Sequence, residues 1–143
     1  MPQRGPDGAS PGSIRGMAGV LIWTAAERFD AMARFYRDTL GLTPRTQKSG
    51  FVNFDWHGIR LSVGVHDGVR GPSRDPARVM VNLTVEDIEV AYRRLAAAGV
   101  AFSRPPEREA WGGVVATFAD PDGNTLQLLQ LPPDVPAHGT GWC

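Results

Sequence analysis

The sequence predicts an α+β fold of two tandem βαβββ modules, forming curved mixed sheets with a cleft on their concave faces and the helices outside. Three observations predict it. The same order of short apolar runs and helical patterns occurs twice, at a spacing of about sixty residues. A polar, broken segment at 66–77, with Gly68, Gly71, Pro72 and Pro76, separates the two copies. Several of the runs also alternate, so that they are aliphatic on one side only.

The elements follow in order. Residues 19–24 are a short apolar run that fits a buried strand. Residues 27–40 read as a helix, because Phe29, Met32, Phe35 or Tyr36, and Leu40 recur at three- and four-residue spacing, with Gly41 placed to cap the end. Strands are expected at 43–48, 51–55 and 59–65, the last two joined by a turn at Trp56, His57 and Gly58. After the linker comes a strand at 79–85 and a helix at 86–98, with Ile88, Ala91, Tyr92 and Leu95 on one face and Gly99 closing it. A short strand at 100–103, a loop through Pro105, Pro106, Trp111, Gly112 and Gly113, a strand at 114–119, a turn at 120–123 and a strand at 125–129 complete the copy. Residues 1–18 and 132–143 are rich in Pro and Gly and are expected to be flexible tails, with Trp142 the one residue there able to anchor. The folded domain is then 19–131, in modules of about 19–66 and 78–131.

Alternation separates the two faces of each strand. Ile59, Leu61, Val63 and Val65 oppose Arg60, Ser62 and Gly64; Val79, Val81, Leu83 and Val85 oppose Met80, Asn82 and Thr84. Leu126 and Leu128 oppose Thr125, Gln127 and Leu129, and Val20 and Ile22 oppose Gly19, Leu21 and Trp23. The aliphatic faces should lie under the helices. The second lining mixes apolar walls with a few polar groups, as a small-molecule pocket does. Trp23, Arg60, Ser62, Met80, Asn82, Thr84 and Gln127 are therefore the candidate ligand-binding residues, with Trp111 as a rim or lid residue. Trp23, Phe54, Trp56 and Trp111 either stack on a planar ligand or fill the bulk of the domain. Arg60 on an inward face needs an anionic ligand or a partner, unless it snorkels at a strand end.

Composition narrows the partners. The 143 residues hold fifteen Lys or Arg against fifteen Asp or Glu, with no long basic run, so neither nucleic acid nor a membrane is expected as a partner. Cys143 is the single cysteine, which excludes an intrachain disulfide and a Cys-based zinc cluster and suits a reducing, cytoplasmic setting. The turn at 120–124 lacks the ligand spacing of a calcium loop. The N-terminal glycines lack the strand and Gly-Lys-Ser/Thr ending of a phosphate loop. His57 and His66 read as solvated residues of a turn and a loop, yet either could act as an acid or base if it faced the pocket.

The run Phe35-Tyr36-Arg37-Asp38-Thr39-Leu40-Gly41-Leu42, the run Phe118-Ala119-Asp120-Pro121-Asp122-Gly123-Asn124-Thr125-Leu126 and the Tyr92-to-Gly99 helix ending resemble the vicinal oxygen chelate superfamily. That superfamily includes glyoxalase I, bleomycin-resistance proteins, fosfomycin-resistance enzymes and extradiol dioxygenases. The resemblance implies metal ligands, usually His, Glu or Gln, near Gly19 and Ser62 in the first module and at Met80 and Gln127 in the second. Only Gln127 is of a usual ligand type, so neither a metal nor any other cofactor is expected. Similarity to the drug-sequestering bleomycin-resistance branch implies a homodimer with the ligand held between modules or subunits.

The sequence is compatible with two functions. One is metal-independent binding of a small, aromatic organic molecule, as in antibiotic sequestration. The other is a metal-free lyase, isomerase or cyclase acting on a secondary metabolite, with His57, Asp55 or Arg60 moving a proton or stabilising charge. A purely structural role leaves the polar lining unexplained.

Overall fold

The structure, a computed structural model, describes residues 11–134. The expected tails fall largely outside this range, as do Trp142, His138 and Cys143. The first module runs β1 (Gly19–Thr24), α1 (Phe29–Arg34), β2 (Thr46–Lys48), β3 (Phe51–Trp56) and β4 (Ile59–Val65); the second runs β5 (Met80–Thr84), α2 (Ile88–Ala97), β6 (Phe102–Arg108), β7 (Val114–Ala119) and β8 (Thr125–Gln130). Each module is one four-stranded mixed sheet, ordered β1-β4-β3-β2 and β5-β8-β7-β6. The first strand of each pairs in parallel with the last, and the other pairs are antiparallel.

Local chemistry accounts for the differences from the expected boundaries. The first helix is in three parts: a 3₁₀ turn at Ala26–Arg28, α1, and a π turn at Phe35–Thr39 in which Leu40 N donates to Phe35 O at 2.8 Å. Periodicity does not resolve such changes of pitch, because the apolar residues still fall on one side. Strand β2 begins at Thr46, not Thr43, since Pro44 has no N–H to add to a ladder. Strand β6 is longer than expected and carries Pro105 and Pro106. It is an edge strand, and its pairing with β7 skips from Arg104 to Glu107, so neither proline is asked for a ladder bond. Between β3 and β4, His57 and Gly58 take φ of 52° and 90°, the positive values that a two-residue hairpin turn requires.

The hydrophobic core joins the modules. Val52, Phe54, Leu61 and Val63 from the first sheet, Ala116, Phe118, Leu126 and Leu128 from the second, and Met32, Tyr36, Ile88 and Leu95 from the helical segments form one cluster. The Phe35 and Phe118 rings meet across it at 6.2 Å. Both helix-side faces are committed to this cluster, so the opposite face of each sheet looks away from it.

Polar groups lock the same seam. The turn at 120–124 is more than a hairpin: Tyr36 Oη donates to Asp120 Oδ2 at 2.7 Å, Thr24 Oγ1 donates to Asp122 Oδ2 at 2.6 Å, and Arg28 Nε donates to Asp122 Oδ1. Asp120 Oδ1 also accepts from Asp122 N and Asn124 N, at 2.9 and 3.0 Å. Burial raises the Asp120 carboxyl above the usual range, against the opposing pull of these hydrogen bonds. Arg94 of α2 completes the seam by donating to the carbonyls of Thr39 and Leu40, at 3.3 and 3.1 Å, where the π turn leaves them unpaired.

Candidate functional site

The register of the first sheet lays out its open face in rows. One row is Trp23, Gly64, Phe51 and Lys48; the next is Leu21, Ser62, Asn53 and Thr46; the third is Gly19, Arg60 and Asp55. Trp23 and Leu21 are 44% and 45% exposed although both are large and apolar. The Trp23 ring lies across Gly64, where a Cβ would come within 3.0 Å of its Cζ3 and 3.3 Å of Phe51 Cδ2. Glycine at 64 thus leaves a flat backbone floor, and Trp23 and Phe51 close over it. Lys48 Nζ stands 5.6 Å from the Phe51 ring centroid, a cation at the end of the row.

The second sheet repeats the layout with a more polar lining. Met80 pairs with Thr125, Asn82 with Gln127 and Thr84 with Leu129. Gln127 Nε2 donates to Asn82 Oδ1 at 2.8 Å, so these two amides are brought together on the open face. Met80 remains 43% exposed. Trp111, in the β6–β7 loop, covers Gly113 so closely that a Cβ there would fall 2.0 Å from its Cη2. Gly113 stands two residues before Val115 and shares its side of β7 by alternation. Trp23 is thus seated on a glycine of the first sheet, and Trp111 on a glycine of the loop that enters the second.

Other candidates have defined places. Asp55 and Arg60 pair across β3 and β4, with Arg60 Nε 3.3 Å from Asp55 Oδ1, and the other carboxylate oxygen accepts from Gly58 N at 3.3 Å. The arginine thus has its partner within its own hairpin. His57 occupies the exposed turn. Of the four aromatics weighed between stacking and bulk, Phe54 is 1% exposed and belongs to the core, while Trp56 continues its side at the end of the strand.

Sequence reasoning gave Phe51 no place in the site, put Gly64 on the open face without a role, and read His66 as a solvated loop residue able to act as an acid or base only if it faced the pocket. Extending the alternation of 59–65 by one step would have placed His66 beside Gly64. The same rule along 51–55 would have put Phe51 with Asn53 and Asp55. The His66 ring meets Trp23 edge-on, with centroids 5.1 Å apart.

The positions that the family uses for a metal do not fit one. A Cβ at Gly19 would lie 1.9 Å from Arg60 O, so no side chain can project there. Ser62, Met80 and Gln127 supply a hydroxyl, a thioether and an amide already bonded to Asn82, a weak donor set for a divalent ion. Among the described residues no group of three or more His, Cys, Asp or Glu could hold a metal ion. No helix among them is long and apolar enough to cross a membrane.

Two surface hollows, of about 400 and 530 Å³, flank the start of α2. Two of their polar residues cap that helix: Asp87 Oδ1 accepts from Glu89 N and Val90 N, and Gln130 Oε1 accepts from Ile88 N at 2.8 Å. None of the expected site residues lines either hollow.

Comparison with known proteins agrees with this architecture. A bleomycin resistance protein of Klebsiella pneumoniae is 28% identical over 111 residues, covering 71% of this chain and 83% of its own length. The crystal structure of a glyoxalase/bleomycin resistance protein/dioxygenase from Nocardioides superposes with a TM-score of 0.69 at 22% identity, covering 90% of this chain and 91% of that one. A superfamily member from Sphaerobacter thermophilus does so with a TM-score of 0.62 at 27% identity, covering 82% and 98%. The sequence profile of the family matches residues 22–128, and with the paired modules and the shared core this shows that the chain belongs to the glyoxalase/bleomycin resistance protein/dioxygenase superfamily.

Proposed function

We propose that this protein binds a small organic molecule with a planar aromatic part, without a metal ion, on the open faces of its sheets. The carrying observation is the Trp23 shelf: a large indole lies exposed on the bare backbone of Gly64, next to Phe51 and Leu21, with Ser62 in the adjoining row. Exposed apolar surface of this kind, with a few polar groups at its border, suits a ligand. Arg60 lies two rows from Trp23 on the same sheet, and Met80, Asn82, Thr84, Gln127 and Trp111 on the other sheet supply the second wall. Because both helix-side faces feed one core, the two open faces of a chain do not close on each other. A second copy completes each cup, and the working unit is a homodimer. The name of the Klebsiella relative supports sequestration of an antibiotic as the biological role.

The test uses metal-free bleomycin as the probe, titrated by calorimetry with chelator and again with added zinc. Expected is saturable binding that does not depend on zinc, with the probe recovered unaltered by mass spectrometry. Trp23→Ala should weaken it by roughly tenfold or more, the loss expected for a central aromatic contact. Binding that needs zinc, or that Trp23→Ala leaves unchanged, would overturn this reading. Consumption of the probe, abolished by Asp55→Asn or His57→Ala, would establish the metal-free enzyme in its place.

A further inference from the structure

We propose that His66 is the specificity-determining hydrogen-bond donor of the Trp23 face, selecting planar heteroaromatic ligands with an acceptor atom in the plane of the ring; this rests on the binding reading above. His66 directly follows β4, and its backbone N donates to Thr24 O at 3.0 Å. The parallel pairing of β1 and β4 thus extends through it, and alternation keeps the side chain on the side of Gly64. The imidazole stands at 61° to the Trp23 indole, a wall raised against the shelf. Its side chain is half exposed and open to a ligand.

The hydrogen bonding fixes which nitrogen carries the proton. His66 Nδ1 accepts from Gly68 N at 2.9 Å. A ring nitrogen that accepts an N–H bond holds no proton of its own, so the neutral imidazole is protonated at Nε2. Asp67 Oδ1 lies 3.9 Å from Nδ1, beyond hydrogen-bond reach, and does not compete with the amide. Gly68 makes the approach feasible: a Cβ there would lie 3.0 Å from both Cε1 and Nδ1. Nε2–H is therefore a donor of fixed tautomer beside a π surface. Stacking on Trp23 tolerates many planar rings, whereas an edge donor discriminates among them by the atom presented to it.

Nitrogen-15 NMR of the full chain, with the His66 signals identified through His66→Phe, tests the tautomer first. Expected is a protonated Nε2 and a bare Nδ1 in the neutral ring; a proton on Nδ1 would overturn the assignment. Quinoline and naphthalene, which match in shape but differ in an in-plane acceptor, are then titrated separately. Quinoline should bind roughly five- to tenfold more tightly and shift the Nε2 signal. His66→Phe should abolish that preference, and His66→Gln, which keeps a donor, should retain part of it. Equal binding of both probes, or a preference that survives His66→Phe, overturns the His66 assignment alone. Failure of both probes to bind overturns it together with the binding reading.

Discussion

Tyr36 shows how one side chain carries the seam between modules. Its ring is fully buried, and its hydroxyl bonds Asp120 Oδ2 at 2.7 Å. Burial, with the Asp120 charge beside it, raises the phenol far above its ordinary range. The folded protein therefore holds the proton where the unfolded chain would release it. The stabilisation from this raised value is present below the ordinary tyrosine value of about 10 and declines as pH rises beyond it. Tyr36→Phe should cost roughly 1.5–3 kcal/mol at neutral pH, the loss of a hydrogen bond to a charged acceptor. It should also flatten the alkaline limb of the stability profile. Urea denaturation of both proteins across that range checks it, and parallel profiles would mean that the phenol is not the responsible group. Periodicity left the helix-face position open between Phe35 and Tyr36, and the partner of the Tyr36 hydroxyl lies 84 positions away, a contact of which local sequence carries no sign.

Among the elements, β4 best shows what a strand contributes to a site. Its helix side, Leu61 and Val63, is core, and its other side is Arg60, Ser62 and Gly64. Gly64→Ala adds one methyl group where only 3.0 Å separates the new Cβ from the Trp23 ring. Trp23 is exposed enough to lift away, so stability should change by less than about 1 kcal/mol while the shelf loses its floor. The expected readout is a red-shifted indole emission in a variant whose other tryptophans are Phe, with weaker binding of the aromatic probe. An unchanged spectrum would show that Trp23 does not rest on this strand. The faces of β4 were legible from alternation, since period-two patterning reports directly on which side is buried. The π turn after α1 and the prolines of β6 were not, because hydrogen-bond pitch and edge position depend on neighbours.

For the whole molecule, the shared core and the Asp120–Asn124 turn make one cooperative unit of two modules. Asp122 is buried, and removing its carboxylate leaves the Thr24 hydroxyl and Arg28 Nε without their acceptor, while Arg28 Nη2 keeps the Pro121 carbonyl at 2.9 Å. Asp122→Ala should cost roughly 2–4 kcal/mol, reduced from a fully buried pair because the arginine is partly exposed. Both modules should still unfold in a single transition, followed by circular dichroism and by fluorescence. Separate transitions from the two probes would show that the seam is weaker than its hydrogen bonds indicate. The sequence by itself determined the repeat and the strand faces, because periodicity is a local property, and its resemblance to the family implied the poor donor set at the metal positions. Only the tertiary structure decided that the turn at 120–124 clasps the opposite module, that Arg60 is answered by Asp55, and that His66 stands over Trp23. The first and the last depend on packing between segments distant in the chain and the second on the register of one hairpin, neither of which periodicity encodes.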